Sequence, residues 1–173
     1  MVYSRNPLQN FVINPQKNYS INPEYNYSIN PRHNYSINPV YNYTIHPIHN
    51  YSINPIHNFT INPNYNYSLN PKYNFCINPY RNFTISPLHN DDIPGWYYFN
   101  LKNICEGFTV KVNDADFLIL YSNNLEMRSF WIKRSTGYSI FNIALDYIEY
   151  AESDGNTGFN VFDINGNWIG HLK

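Results

Sequence analysis

With 173 residues the chain has room for one domain or two small ones. Charged residues are only 13% of it and aromatics 18%, which excludes a charged disordered tail; a net charge of −1 gives no footprint of a phosphate-driven nucleic-acid binder. Two cysteines, Cys76 and Cys105, make no disulfide framework, and no apolar run approaches the ~18 residues of a membrane span.

From the N-terminus, Met1–Arg5 lacks the apolar core of a signal peptide, so a cytoplasmic location is expected. From Asn6 to Asn90 one octapeptide, Asn-Pro-x-x-Asn-(Tyr/Phe)-(Ser/Thr)-(Ile/Leu), is written ten times and begun once more, with prolines at 7, 15, 23 and every eighth position to 87. Val12 and Cys76 replace the hydroxyl residue, and His46 and Ser86 the first Asn. The repeat also spells Asn-x-Ser/Thr at Asn18, Asn26, Asn34, Asn42, Asn50, Asn58, Asn66 and Asn82. Without an export signal these are a by-product of the period.

Proline every eight residues excludes a helix, and Asn-Pro initiates turns. Asn42–Ile45 alternates and is aromatic or β-branched, so each octad reads as one short strand plus one corner. The expected fold class is therefore all-β: an octapeptide-repeat β-solenoid over 1–90, two octads per coil stacked ~4.8 Å apart. The variable pair after each proline faces solvent, and the Tyr/Ile face of the strand is expected inward. The alternative buries Asn and Ser/Thr as hydrogen-bonded ladders and leaves the aromatics outside. His33, His49, His57 and His89 share a slot that Tyr holds in other octads, which marks it as a place for a planar ring. No acidic residue or cysteine recurs beside them to complete a metal site.

After a linker at 91–94, residues 95–173 divide into four segments of twenty-one, starting at Gly95, Asp116, Gly137 and Gly158. An aromatic recurs at the second position (Trp96, Phe117, Tyr138, Phe159), and apolar residues at the fourth (Tyr98, Ile119, Ile140, Val161) and fifth (Phe99, Leu120, Phe141, Phe162). Each segment reads as strand, turn, strand, with a type I′ turn at Asn165-Gly166, giving a four-hairpin, pseudo-four-fold β domain. Segments such as Phe162-Asp163-Ile164-Asn165-Gly166-Asn167-Trp168-Ile169-Gly170 resemble the hairpins of bacterial four-fold β-flower proteins, and the octads resemble Asn-Pro repeats of hypothetical proteins of low-GC bacteria. The first resemblance implies lipid or interaction roles and no catalytic residues.

Chemistry-bearing motifs are absent: no phosphate loop, zinc spacing or nucleophile elbow occurs. Cys105 with His171 is the one conceivable nucleophile–base pair, but no third group orients it. No cofactor is expected. The sequence thus points to a non-catalytic structural or interaction protein in which the repeat rod positions a β binding module. The alternatives are a glycan- or lipid-headgroup-binding protein using Trp96, Trp131 and Trp168 of the second domain, and an ice-binding solenoid. A bare first coil predicts self-association through Phe11 and Ile13.

Overall fold

Asn recurs in the array every four residues, twice per octad, and this shorter period decides the backbone. The Asn22 carbonyl accepts the N–H groups of Tyr25 (3.1 Å) and Asn26 (2.8 Å), while Asn22 Oδ1 accepts that of Glu24 at 2.8 Å. Four residues on, Asn26 Oδ1 accepts both the N–H (3.2 Å) and the hydroxyl (2.6 Å) of Ser28, closing a 3-10 turn over Tyr27–Ile29. The amide nitrogens reach back one octad, Asn22 Nδ2 donating to the Pro15 carbonyl (3.0 Å) and Asn26 Nδ2 to that of Ser20 (2.6 Å). Side-chain amides thereby satisfy backbone groups that a strand would have paired with a neighbouring strand. Proline fits the turn position that needs its fixed φ and no N–H. The first ten repeat prolines, Pro7 to Pro79, are all buried.

The computed structural model describes residues 1–173, and its eight strands all lie beyond residue 96. The expected β-solenoid is therefore overturned: the array contains 3-10 turns from Tyr19–Ile21 to Phe83–Ile85, and no strand. Alternation and β-branching in Asn-Tyr-Ser-Ile suggested a strand, but the Asn turn chemistry outcompetes that propensity.

The strands are β1 (Tyr97–Asn100), β2 (Cys105–Val112), β3 (Phe117–Ser122), β4 (Met127–Lys133), β5 (Gly137–Asn142), β6 (Tyr147–Ser153), β7 (Phe159–Asp163) and β8 (Trp168–Leu172). They pair antiparallel in chain order, and β8 returns to β1, closing a barrel that leaves no sheet edge. One face of the sheet converges as a single cluster of Leu118, Leu120, Trp131, Tyr138, Ile140, Ala151, Val161 and Leu172, the barrel interior. The opposite face, with Phe99, Phe108, Ile119, Phe130 and Phe141, is equally buried, because the octapeptide array covers it.

Contacts along the chain trace the array's path. Asn14 meets Asn103 beside β8, the Ile21 carbonyl accepts from Asn160 on β7, and Ile29 lies against Gly155 after β6. The Ile45 carbonyl accepts from Arg134 after β4, that of Ile77 from Tyr121 on β3, and Ile93 joins the core at β1. The array is thus a belt that circles the barrel once, counter to strand order. Its ends meet: the Met1 ammonium lies 2.7 Å from the Asp91 carboxylate, and the Arg5 guanidinium donates to the carbonyls of Ile93 (2.8 Å) and Gly95 (3.0 Å).

The four-fold repeat of the second half is present, with one slip. Register shifts fall after Tyr98, Leu120, Ile140 and Val161, so Leu120, not Ile119, is the inward equivalent of the other three. A one-residue offset exchanges the two faces, and Ile119 points to the belt. The leading glycines have a steric cause: a Cβ at Gly95, Gly137 or Gly158 would lie 1.8, 2.0 or 2.2 Å from the carbonyl oxygen of the adjacent strand. The turn at Asn165-Gly166 differs from expectation, since only Gly166 has positive φ (79°) and the Asp163 carbonyl accepts its N–H. This is a type I turn followed by one left-handed residue, not type I′. Asn103, Leu125 and Leu145 fill the same place in the other hairpins. For leucine that backbone is costly; both side chains are buried in the core beneath the belt, which offsets it.

Candidate functional site

Each octad turns its Ile or Leu, first Asn and Pro toward the barrel, and its aromatic residue, hydroxyl residue and variable pair outward. The expectation that Tyr and Ile share a buried face is corrected: from Phe11 to Phe83 all ten aromatics at the sixth position are 56–66% exposed. The alternative is half right, because the aromatics are outside but so are Ser and Thr. In a 3-10 turn adjacent side chains diverge around the axis, so the two-residue periodicity of a strand does not apply.

The exposed rings are organised. The sixth-position ring of one octad stacks on the planar residue that precedes the second Asn of the next. Centroids lie 4.4 Å apart for Tyr19–Tyr25, 4.0 Å for Tyr27–His33, 4.3 Å for Tyr43–His49 and 4.1 Å for Tyr51–His57, with interplanar angles of 21–29°. Phe83–His89 continues the series, and at Phe75 the guanidinium of Arg81 takes the ring's place at 5.5 Å. The slot shared by the four histidines is therefore a stacking place. Beside eight of the ten rings a Ser or Thr hydroxyl donates to the second Asn of its own octad, as Thr44 does to Asn42 at 2.7 Å, while Val12 and Cys76 stand beside Phe11 and Phe75. That bond leaves the exposed hydroxyl oxygen free as an acceptor. The amide nitrogens of the Asn-x-Ser/Thr sequences are committed too: Asn18 Nδ2 donates to the Val12 carbonyl at 2.6 Å, and Asn50 Nδ2 to that of Thr44 at 2.6 Å.

Of the clefts where belt and barrel turns meet, two stand out by size. One, of about 640 Å³, lies between Thr44, Asn50 and Ser52 on the belt and Asp116, Lys133 and Ser135 on the barrel. The other, of about 400 Å³, is more apolar, with Ile48, Ile56, Leu145 and Ile164 around His46 and Asp146. His46 occupies an Asn position, and its Nδ1 accepts the Ile48 N–H (3.2 Å) as the amide oxygen would. Burial, then the neighbouring His49 and Arg134, lower its pKa.

Beneath residues 14–45 the barrel's outer face is polar. Arg134 and Glu152 form a buried ion pair, and Arg134 Nη1 donates to the Ile45 carbonyl at 2.8 Å. Lys173 and Asp154 form a second buried pair. His171 is fully buried, with Nε2 2.9 Å from Asn103 Oδ1; burial, then the charge on Lys173, lowers its pKa to about 3, so it is neutral. Arg134, through the Ile45 carbonyl, and His171, through Asn103 and Asn14, tie the belt down. Sequence reasoning did not find Arg134, Glu152 or Asn160, which look like ordinary turn and strand polar residues.

The three tryptophans named from sequence do not converge. Trp131 is fully buried inside the barrel, donating to Ser129 Oγ at 2.9 Å. Trp96 is half-buried under the Lys111 ammonium (4.3 Å), and Trp168 is half-buried with Nε1 on the Gly170 carbonyl. Cys105 and His171 both pair with Phe99 from opposite sides, so β1 separates them by two strand spacings, about 10 Å. The Cys105 thiol, pushed up by burial, touches the Gly107 carbonyl instead. Phe11 is exposed, and Ile13 is half-buried beside Arg5 and Trp96. With no strand in the first octad, the unpaired edge that motivated self-association there does not exist. No group of three His, Cys, Asp or Glu is arranged to hold a metal, and no helix is long and apolar enough to cross a membrane. Comparison with protein-family models, curated proteins and solved structures finds no match to the chain.

Proposed function

We propose that this is a non-catalytic interaction protein in which the barrel is a rigid hub and the belt is the binding surface. This exchanges the roles that the sequence alone assigns to the two halves. The observation that carries it is the file of ten exposed aromatics, each borne on a backbone turn fixed by the octad's own hydrogen bonds. Tyr with Ser and Asn is the composition of antibody paratopes: the rings give large contact area at little entropic cost, and the small polar residues adapt their hydrogen bonds. Exposed aromatic area on this scale is uncommon on a surface that binds nothing. A rigid backing also keeps the ordering cost of binding low.

The test compares the full chain with a variant in which Tyr27, Tyr35, Tyr43 and Tyr51 are all Ser, against glycan, protein, single-stranded DNA and vesicle panels. A ligand bound by the full chain and lost by the variant supports the reading. Ligands bound equally well by both, or none bound by either, overturn it.

A further inference from the structure

We infer that the belt takes a neutral polysaccharide, laid along successive ring pairs by the apolar faces of its pyranose units. This rests on the belt being the binding surface and adds the partner's chemistry. Charge narrows the choice first. The belt's variable positions hold only Lys17, Arg32, Lys72, Arg81 and Glu24. Three of the four cations are engaged: Arg32 donates to Asn167, Lys72 sits 5.3 Å over Tyr73, and Arg81 lies on Phe75. A nucleic-acid chain or an anionic membrane needs a track of free cations. The barrel turns beside the belt supply no such track: in one cleft Lys133 is paired with Asp116 at 3.1 Å, another holds Asp146, and Asp163 lies beside Arg32. A polyanion thus finds no continuous row of free cations along the belt.

Periodicity narrows it further. From Tyr19 to Tyr67 the stations repeat every eight residues with an aromatic ring, a hydroxyl and an amide, and a surface of near-identical stations matches a ligand of identical units better than an irregular protein surface. A pyranose has an apolar C–H face and a rim of hydroxyls, and each station from Tyr19 to Tyr67 offers a flat ring beside a Ser or Thr oxygen with acceptor capacity to spare. Single stations bind weakly; several engaged by one chain raise the avidity steeply.

The full chain is titrated calorimetrically with cello- and chito-oligosaccharides of graded length, with oligo-dT and anionic vesicles as parallel probes. Two variants accompany it, both at Tyr27, Tyr35, Tyr43 and Tyr51: all Tyr→Ser, and all Tyr→Phe. The expected result is a Kd falling at least about tenfold from the shortest to the longest oligosaccharide, about 1.4 kcal/mol. The Phe set retains binding, and the Ser set loses tenfold or more. Binding that ignores length, or that survives in the Ser set, overturns the inference. Ring-dependent binding to oligo-dT or vesicles alone overturns the polysaccharide and leaves the belt as a binding surface, whereas no ring-dependent binding to any probe overturns both.

Discussion

Leu69 is a belt residue that is 1% exposed and packs in the same cluster as Phe108, Phe117 and Phe130 on the barrel's outer face. Leu69→Ala removes a fully buried side chain and leaves a cavity between the layers, at a cost of about 3 kcal/mol. Its neighbour Tyr67 is 58% exposed, and Tyr67→Ala loses one stacking contact with Tyr73, at most about 1 kcal/mol. All three tryptophans lie on the barrel and none on the belt, so tryptophan fluorescence reports barrel unfolding alone. With a urea m-value of about 2–3 kcal/mol/M, Leu69→Ala moves the fluorescence midpoint down by roughly 1–1.5 M, and Tyr67→Ala by less than about 0.5 M. A midpoint unmoved by Leu69→Ala, while circular dichroism shows the belt lost earlier, refutes the shared core.

Arg134→Met strands Glu152 in the buried clasp and costs about 3–5 kcal/mol by urea denaturation; adding Glu152→Leu recovers much of that, because the pair's desolvation cost disappears with it. For His171 the folded pKa of about 3 lies below the ordinary 6.5, so its contribution is fully present above pH 6.5 and is lost as pH falls toward 3. On the order of 4 kcal/mol is involved, and His171→Gln should flatten the stability profile between pH 7 and 4 relative to wild type. Asn66→Asp keeps the acceptor toward Ser68 but loses the donor to the Thr60 carbonyl, and costs about 1 kcal/mol; a neutral effect in thermal melts means that donor bond contributes nothing.

The all-β hairpins of the second half were legible, because the twenty-one-residue period marks strand, turn and strand four times, with turns at Asn103, Leu125, Leu145 and Gly166; their closure into one barrel wrapped by the first half was not. The slip at Leu120 was not, since Leu118, Ile119 and Leu120 are all apolar and both faces of this sheet are buried, which removes the alternation that marks register. The belt's period was plain and its conformation misread: Asn at every fourth position was the available signal, and the strand propensity of Tyr and Ile masked it. The outward slot that holds Tyr25 and Tyr41 in some octads and His33 and His49 in others was recognisable from the substitution pattern alone. The clasp of Arg134 and Glu152 was not, because a buried ion pair between a turn and a strand leaves no periodic trace.

The meeting of Met1 and Arg5 with Asp91, Ile93 and Gly95 sets the belt apart from open repeat arrays, which gain or lose units at little cost. A hoop on a cask has to match its girth. One octad too many leaves slack that no barrel residue can take up, and one too few leaves the seam gaping. The tally of octads is therefore fixed by the circumference of an eight-stranded barrel, so duplication or deletion of a unit, the usual way such arrays drift, is penalised here at every position along the array.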